Sequence, residues 1–198
     1  MTTLLLGLLI FLGVHAMRVF AAPLRQSLIA QWGSWRFKAA YALLSLLGFA
    51  LILQGYPEAK QMPLTLWEPP FGLRHLSVAL MWPATLLLLA AYVPGNGIRA
   101  KLRHPMTLSV KVWALAHLLA NGHWADVLLF GGFLLWSVLL YRAARREDRS
   151  QMVGLMGSTG RWLNLGTVLT VLLGSALWYG FTLGGWHATL FGVSPLGR

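Results

Sequence analysis

The amino-acid sequence predicts an all-α integral membrane protein, a bundle of about six transmembrane helices. Of its 198 residues 57% are hydrophobic and 11% are charged, and the mean hydropathy is +0.64. An average soluble domain carries about 25% charged residues, so this chain has fewer than half the expected charges. Long apolar runs recur along the chain and are separated by short polar connections. We therefore expect a single transmembrane domain covering residues 1–198, with the lipid bilayer as its main surroundings.

Six apolar runs approach the roughly 20 residues that a helix needs to cross the hydrocarbon core of a bilayer. The turn Asn121-Gly122-His123-Trp124 separates the fourth run from the fifth and predicts a helical hairpin there. The fourth and fifth runs are the shortest. The predicted spans are Leu4–Ala22, Ala39–Gly55, Leu76–Val93, Met106–Ala120, Val127–Tyr141 and Trp162–Leu183.

The basic residues predict how these spans are oriented. Of the 16 Lys and Arg residues, all but Lys60, Arg74 and Arg198 lie in or beside the connections after the first, third and fifth runs. Positively charged loops remain in the cytoplasm, so we expect both termini on the outer side of the membrane. Leu4–Val14 has the length of a signal-peptide core, but no positive charge precedes it and Arg18 follows it. We therefore expect a retained span.

The composition excludes several kinds of chemistry. Without cysteine the chain can form no disulfide, thiolate nucleophile or iron–sulfur site. Asp126 begins the fifth run and the other four acidic residues lie in loops, so we expect no carboxylate pair for acid–base catalysis or proton coupling. The net charge of +11 does not indicate a nucleic-acid partner, because the basic residues form short clusters between apolar runs.

Histidine is the ionisable residue type that remains inside the predicted spans, where such residues are candidates for function. His15 and His117 both lie well inside apolar runs, about 10 to 17 Å from the cytoplasmic ends of their helices. Two neutral imidazoles at similar depth suit haem iron better than zinc, which usually takes four N, S or O ligands. The sequence leaves open the alternative that each histidine only hydrogen-bonds between helices.

Two further basic positions are candidate contacts of a cofactor or lipid. Arg18 follows His15 by three residues on the same helix face, where it could meet a haem propionate. Arg103-His104-Pro105 lies at the cytoplasmic mouth of the fourth run, where Pro105 suits the first helical turn and the two basic side chains can meet phosphates. We count His15, Arg18, His104 and His117 as candidate cofactor-binding residues, with His15 and His117 as the metal ligands.

Several stretches of the chain resemble the NnrU family. The segment from Arg103 to Met106, followed by Trp113–Gly122, is the most specific of them. The resemblance extends over essentially the whole chain through Leu12-Gly13-Val14-His15 near the start and residues 190–195 near the end. It implies a bacterial inner-membrane protein linked with denitrification and with nitric oxide or nitrite metabolism. Its partners would be respiratory or denitrification membrane proteins.

The NnrU family is also similar to ζ-carotene isomerase, a membrane enzyme that holds haem b through histidines. In that relative a ligand histidine follows the histidine of the Arg-His-Pro motif by thirteen residues, a position that corresponds to His117 here. The other haem histidine corresponds to His15. The relative also carries a cysteine three residues before the later ligand, where this sequence has Ala114. That departure weighs against the isomerase mechanism but leaves the pair of histidines in place.

The resemblance leaves four functions in competition. The first is a haem b protein of redox or nitric oxide metabolism, and the second is a haem-dependent isomerase of a polyene such as ζ-carotene. The third is a methyltransferase of the isoprenylcysteine or phospholipid type, which also shows an Arg-His-Pro segment but carries acidic residues in a tail that this sequence lacks. The fourth is a non-catalytic assembly factor for a respiratory complex, which needs no site at all.

Overall fold

Helices form most of the described chain. The computed structural model describes residues 1–62, 64–150 and 163–196. A π-helical turn, Val127–Gly131, lies inside a continuous helical segment that runs from Trp124 to Ser150. The α-helices are α1 (Thr2–Phe20), α2 (Ala22–Trp32), α3 (Ser34–Lys60), α4 (Phe71–Tyr92), α5 (Gly97–Leu102), α6 (Pro105–Ala120), α7 (Trp124–Asp126), α8 (Gly132–Ser150), α9 (Leu165–Thr182) and α10 (Trp186–Phe191).

The prediction of an all-α membrane protein is confirmed. Within the described residues, five helices are at least 18 residues long and apolar enough to cross a membrane, and α6 is a shorter apolar helix. Many large side chains on these helices, such as Leu9, Leu43 and Leu135, are exposed, as a lipid-facing surface requires. The five long helices are Thr2–Phe20, Ser34–Lys60, Phe71–Tyr92, Trp124–Ser150 and Leu165–Thr182.

The helix ends differ from the predicted spans where polar residues continue a helix. The fifth helix extends to Ser150 rather than to Tyr141, because the Arg, Ala and Glu residues that follow Tyr141 are strong helix formers. Three short helices, α2, α5 and α10, form in segments that carry no long apolar run. The predicted start of the last span, Trp162, lies outside the described residues, and the described helix begins after Asn164, whose side chain accepts a hydrogen bond from Thr167 N.

The described chain divides into two compact units, of which the first comprises Met1–Trp67 and His123–Trp136. In this unit α1 and α3 pack closely because three glycines let their backbones approach. A Cβ atom at Gly7 would lie 2.7 Å from Ile52 N, and one at Gly48 would lie 2.8 Å from Phe11 N. A Cβ atom at Gly55 would collide with the backbone of residue 4.

Backbone contacts also hold the turn after α3 beside the start of α7. Trp124 N donates to Leu64 O over 3.0 Å, and Thr65 forms an isolated antiparallel bridge with His123. The helical segment that begins at Trp124 therefore starts from a position fixed against the chain that leaves α3.

The second unit comprises Glu68–Gly122 and Ser137–Arg198. Here α4 packs against α6 and α9, and serine hydroxyls donate to carbonyls across the first of these contacts: Ser77 to Ala116 O over 2.6 Å and Ser109 to Ala84 O over 2.8 Å. On α9 a Cβ atom at Gly174 would lie 3.0 Å from Leu86 Cα. The absence of a side chain at Gly174 therefore lets α9 approach α4 closely.

The glycines of α1 give a matched test of this packing. Gly7→Ala should lower the free energy of unfolding by about 1 to 3 kcal/mol, because the new methyl group would press on the backbone of α3. Gly13→Ala, on the same helix, has no neighbour within 4 Å and should leave stability unchanged or raise it by up to about 1 kcal/mol. Thermal unfolding of the detergent-purified protein, followed by tryptophan fluorescence, measures both. Equal melting temperatures for the two variants would contradict the close contact.

Candidate functional site

His15 lies on α1 inside a group of aromatic rings in the first unit. Its ring centroid is 4.3 Å from that of Phe11, 5.4 Å from that of Tyr41 and 6.3 Å from that of Trp136. Phe133 stands beside both Phe11 and Trp136. The half-buried imidazole is therefore surrounded by apolar ring faces and edges.

The hydrogen bond of His15 determines its tautomer. Nδ1 lies 2.7 Å from the carbonyl oxygen of Phe11, one helical turn earlier. A carbonyl oxygen can only accept, so Nδ1 carries a proton, and in the neutral ring Nε2 carries the lone pair. Ligand histidines commonly hold their second nitrogen in this way, which orients the ring and keeps the other nitrogen ready for a metal.

An indole beside His15 has an unused donor. The Nε1 atom of Trp136 is buried and has no hydrogen-bond partner among the described residues. A buried N–H without a partner costs about 1 to 3 kcal/mol, so such groups call for an acceptor that the described chain does not supply.

His117 repeats the local arrangement on α6 in the second unit. Its Nδ1 lies 2.9 Å from Trp113 O, and its backbone carbonyl accepts a hydrogen bond from Asn121 Nδ2 over 2.8 Å. Ala114 and Ala116 beside it are fully buried, and the Trp113 ring centroid lies 5.0 Å from that of His117. The ring is thus held in the same tautomer as that of His15.

His75 and Arg18 lie in surroundings that differ from those of His15 and His117. His75 makes the same bond to the carbonyl four residues earlier but is exposed, so burial distinguishes His15 and His117 from it. Arg18 is exposed on α1, one turn after His15. Because His15 and His117 belong to different units, their pairing at one iron stays a prediction.

The Arg103-His104-Pro105 motif forms a cluster with α8 in the second unit. His104 caps α6, and Pro105 is its first residue, as predicted. The Nε2 atom of His104 lies 3.1 Å from Asp148 Oδ2, and the guanidinium groups of Arg145 and Arg103 approach the same oxygen at 3.2 and 3.7 Å. His104 lies about 20 Å from His117 along the helix axis, at 1.5 Å per residue. The two histidines therefore lie in different surroundings on one helix, and contact between His104 and a cofactor stays a prediction.

Arg103 has a strained backbone. It is the one residue other than glycine with a positive φ in the described ranges, at φ 61° and ψ −43°. His104 N donates to Leu102 O over 2.7 Å, which closes a γ-turn of the rarer hand around Arg103. Such strain costs about 1 to 3 kcal/mol and is concentrated at functional sites.

A buried carboxylate in the first unit was not recognised from the sequence. Asp126 is fully buried, and Lys60 Nζ lies 3.1 and 3.0 Å from its two oxygens. Tyr56 Oη donates to Oδ1 over 2.6 Å, and His123 N donates to Oδ2 over 3.0 Å. Asp126 and Lys60 are 66 residues apart, and both lie at the ends of apolar runs where a charged residue is unremarkable.

The described residues contain no group of three or more His, Asp or Glu side chains that could hold a metal ion. A metal cage built by those residues alone is therefore not present among them. Haem iron needs only one or two protein ligands, because the porphyrin supplies about four nitrogens.

Comparison with known proteins places the chain in a family. The model of the family described as NnrU protein matches residues 3–195. The chain belongs to the NnrU family. No curated protein and no solved structure matches it. Membership agrees with the resemblance carried by Arg103–Met106 and Trp113–Gly122, and both segments lie in the second unit.

The Asp126 cluster predicts a measurable coupling. Lys60→Met should destabilise the protein by about 1 to 3 kcal/mol, since it leaves a buried carboxylate without its cation. The same change in an Asp126→Asn background should cost much less, because the neutral amide needs no counter-charge. Thermal unfolding of the two single variants and the double variant gives the coupling energy. Glu58→Gln, at an exposed carboxylate on the same helix, is the control. Additive effects would contradict a direct ion pair.

Proposed function

We propose that this NnrU protein binds haem b, with His15 and His117 as candidate iron ligands. The supporting observation is the bond from each Nδ1 to the carbonyl four residues earlier. It orients each ring and leaves Nε2 as the lone-pair nitrogen, the form in which imidazole binds iron. Both histidines are at least half-buried in apolar helices, where ionisable side chains are uncommon and are candidates for function.

The surroundings of His15 fit an apolar macrocycle with a polar edge. The rings of Phe11, Tyr41 and Trp136 offer apolar contacts and exclude water. The buried Trp136 N–H can donate to a polar group of a bound cofactor, and Arg18 can meet a carboxylate at the exposed end of the same helix face.

We further propose that the protein serves denitrification or nitric oxide and nitrite metabolism in the bacterial inner membrane, with both termini in the periplasm. When bound, haem supplies one-electron chemistry and a position for a diatomic gas. The described residues would hold the cofactor, orient it and keep water away. Family membership supports the physiological setting, and the placement of basic residues in alternate connections supports the orientation.

The haem proposal predicts a loss of cofactor from histidine variants. His117→Ala and His15→Ala should each abolish haem retention while membrane insertion remains intact, because each removes an iron ligand. The measurement is the haem-to-protein ratio of the detergent-purified protein, by pyridine haemochrome, with oxidised and dithionite-reduced absorption spectra. His75→Ala is the matched control, since it removes the same helical hydrogen bond from an exposed histidine.

Haem content equal to that of the parent in His117→Ala would show that His117 is not a ligand. A parent protein without haem, purified from cells well supplied with it, would overturn the proposal and favour a non-catalytic assembly factor.

Arg18 gives a separate prediction. Arg18→Gln should weaken haem affinity by a few-fold, since an exposed ion pair contributes at most about 1 kcal/mol. The absorption spectrum of the haem that remains should be that of the parent, because the iron ligands are unchanged. Haem transfer to apomyoglobin measures the affinity. An altered spectral type at full occupancy would contradict a propionate contact.

A further inference from the structure

One oxygen atom of the second unit is the focus of three positively charged or polar donors. Arg145, His104 and Arg103 all approach Asp148 Oδ2, at 3.2, 3.1 and 3.7 Å. Among the described contacts of Asp148, none involves Oδ1. Two guanidinium groups, which are always charged, and an imidazole therefore converge on a carboxylate that carries one negative charge.

The charges around this cluster are strongly unbalanced. The segments 97–111 and 142–149 carry eight Lys and Arg residues and two acidic residues, Glu147 and Asp148. The sequence has no other Asp or Glu between Asp126 and its end, and none between Glu68 and Asp126. The second unit therefore has almost no acidic side chains with which to neutralise these cations, and an anion from outside the chain is favoured.

The backbone holds Arg103 in place, and Arg145 is the most accessible of the three side chains. Arg103 sits in the strained γ-turn, which fixes where its side chain begins. The Arg145 side chain is 42% exposed, whereas that of Asp148 is 17% exposed. The ring of Tyr141 packs edge-on against His104. Lys111 Nζ lies 5.9 Å from the centroid of the same ring, so a fourth basic side chain lies beside the cluster.

We propose that Arg103, His104 and Arg145 form a binding site for a phosphate group, carried by a lipid headgroup or by a soluble phosphate ester. A guanidinium group can donate two parallel hydrogen bonds to two oxygens of a phosphate. Phosphate also offers several strong acceptor oxygens, whereas the three donors here all approach the single oxygen Oδ2 of Asp148. Asp148 holds the donors together and competes with the phosphate for them. The test changes Arg145 and Asp148, neither of which is a candidate haem contact, so its outcome does not depend on the haem proposal.

The test is lipid binding to the full-length protein in detergent, counted by native mass spectrometry. The probes are phosphatidic acid and phosphatidylcholine with the same acyl chains. Arg145→Gln should weaken phosphatidic acid binding by about tenfold, since a hydrogen bond to a charged group is lost. Arg146→Gln is the matched control, an exposed neighbour with the same charge change, and should weaken it by less than about twofold. Asp148→Asn should strengthen binding a few-fold by removing the competitor.

Inorganic phosphate distinguishes the two sources of the ligand. Displacement of phosphatidic acid by phosphate, but not by chloride at equal ionic strength, indicates a soluble phosphate ester. Retention of phosphatidic acid indicates a lipid headgroup. Either result supports the site. Equal weakening by Arg145→Gln and Arg146→Gln would overturn it in favour of diffuse charge attraction. Phosphatidic acid bound no better than phosphatidylcholine, without a thermal shift from inorganic phosphate, would also overturn it.

Discussion

The bilayer supplies no hydrogen-bond partners, and the chain must therefore find them within itself. Much of the polar detail of the described helices follows from this constraint. Ser77 and Ser109 donate to carbonyls of facing helices, and Trp178 Nε1 donates to Val78 O over 2.8 Å. His15 and His117 instead donate to their own helices. The same bond that satisfies a polar group in lipid also selects the tautomer that can bind a metal.

Charged groups obey the constraint more strictly. Asp126 is buried with a cation, a phenol and a backbone amide around it, whereas Asp148 shares one oxygen among three donors. The two carboxylates therefore have different surroundings in their own units. The acceptors of Asp126 are saturated by neighbours that tie α3 to the start of α7, as expected of a structural ion pair. Asp148 is approached by two guanidinium groups and an imidazole and is more exposed than Asp126, as the proposed phosphate site requires.

The sequence predicts the spans well because lipid exposure leaves long apolar runs that can be counted. Predicted and described ends agree within five residues except at the end of the fifth helix, which continues past Tyr141 to Ser150 through good helix formers. His15 and His117 were chosen as candidates, and Pro105 was correctly predicted to start a helix, because a polar or helix-starting residue stands out against Leu and Ala. The ion pairs were not found, since Lys60 and Asp126 meet over 66 residues and His104 and Asp148 over 44. Neither pair has a fixed spacing that a sequence pattern could reveal.

The π-helical turn Val127–Gly131 determines which way one helix faces at each of its ends. Such a turn accommodates one residue more than an α-helical turn, and each residue added to a helix rotates the remainder of that helix by about 100°. Asp126, before the turn, is directed to Lys60 and Tyr56 on α3, while Trp136, after it, reaches the ring of His15 on α1. An uninterrupted α-helix of this sequence could direct either Asp126 to α3 or Trp136 to His15, but not both. The extra residue in the π-helical turn lets one helix make both contacts. The angle around the helix axis between Asp126 and Trp136 is therefore set by the number of residues between them and not by the chemistry of any one side chain.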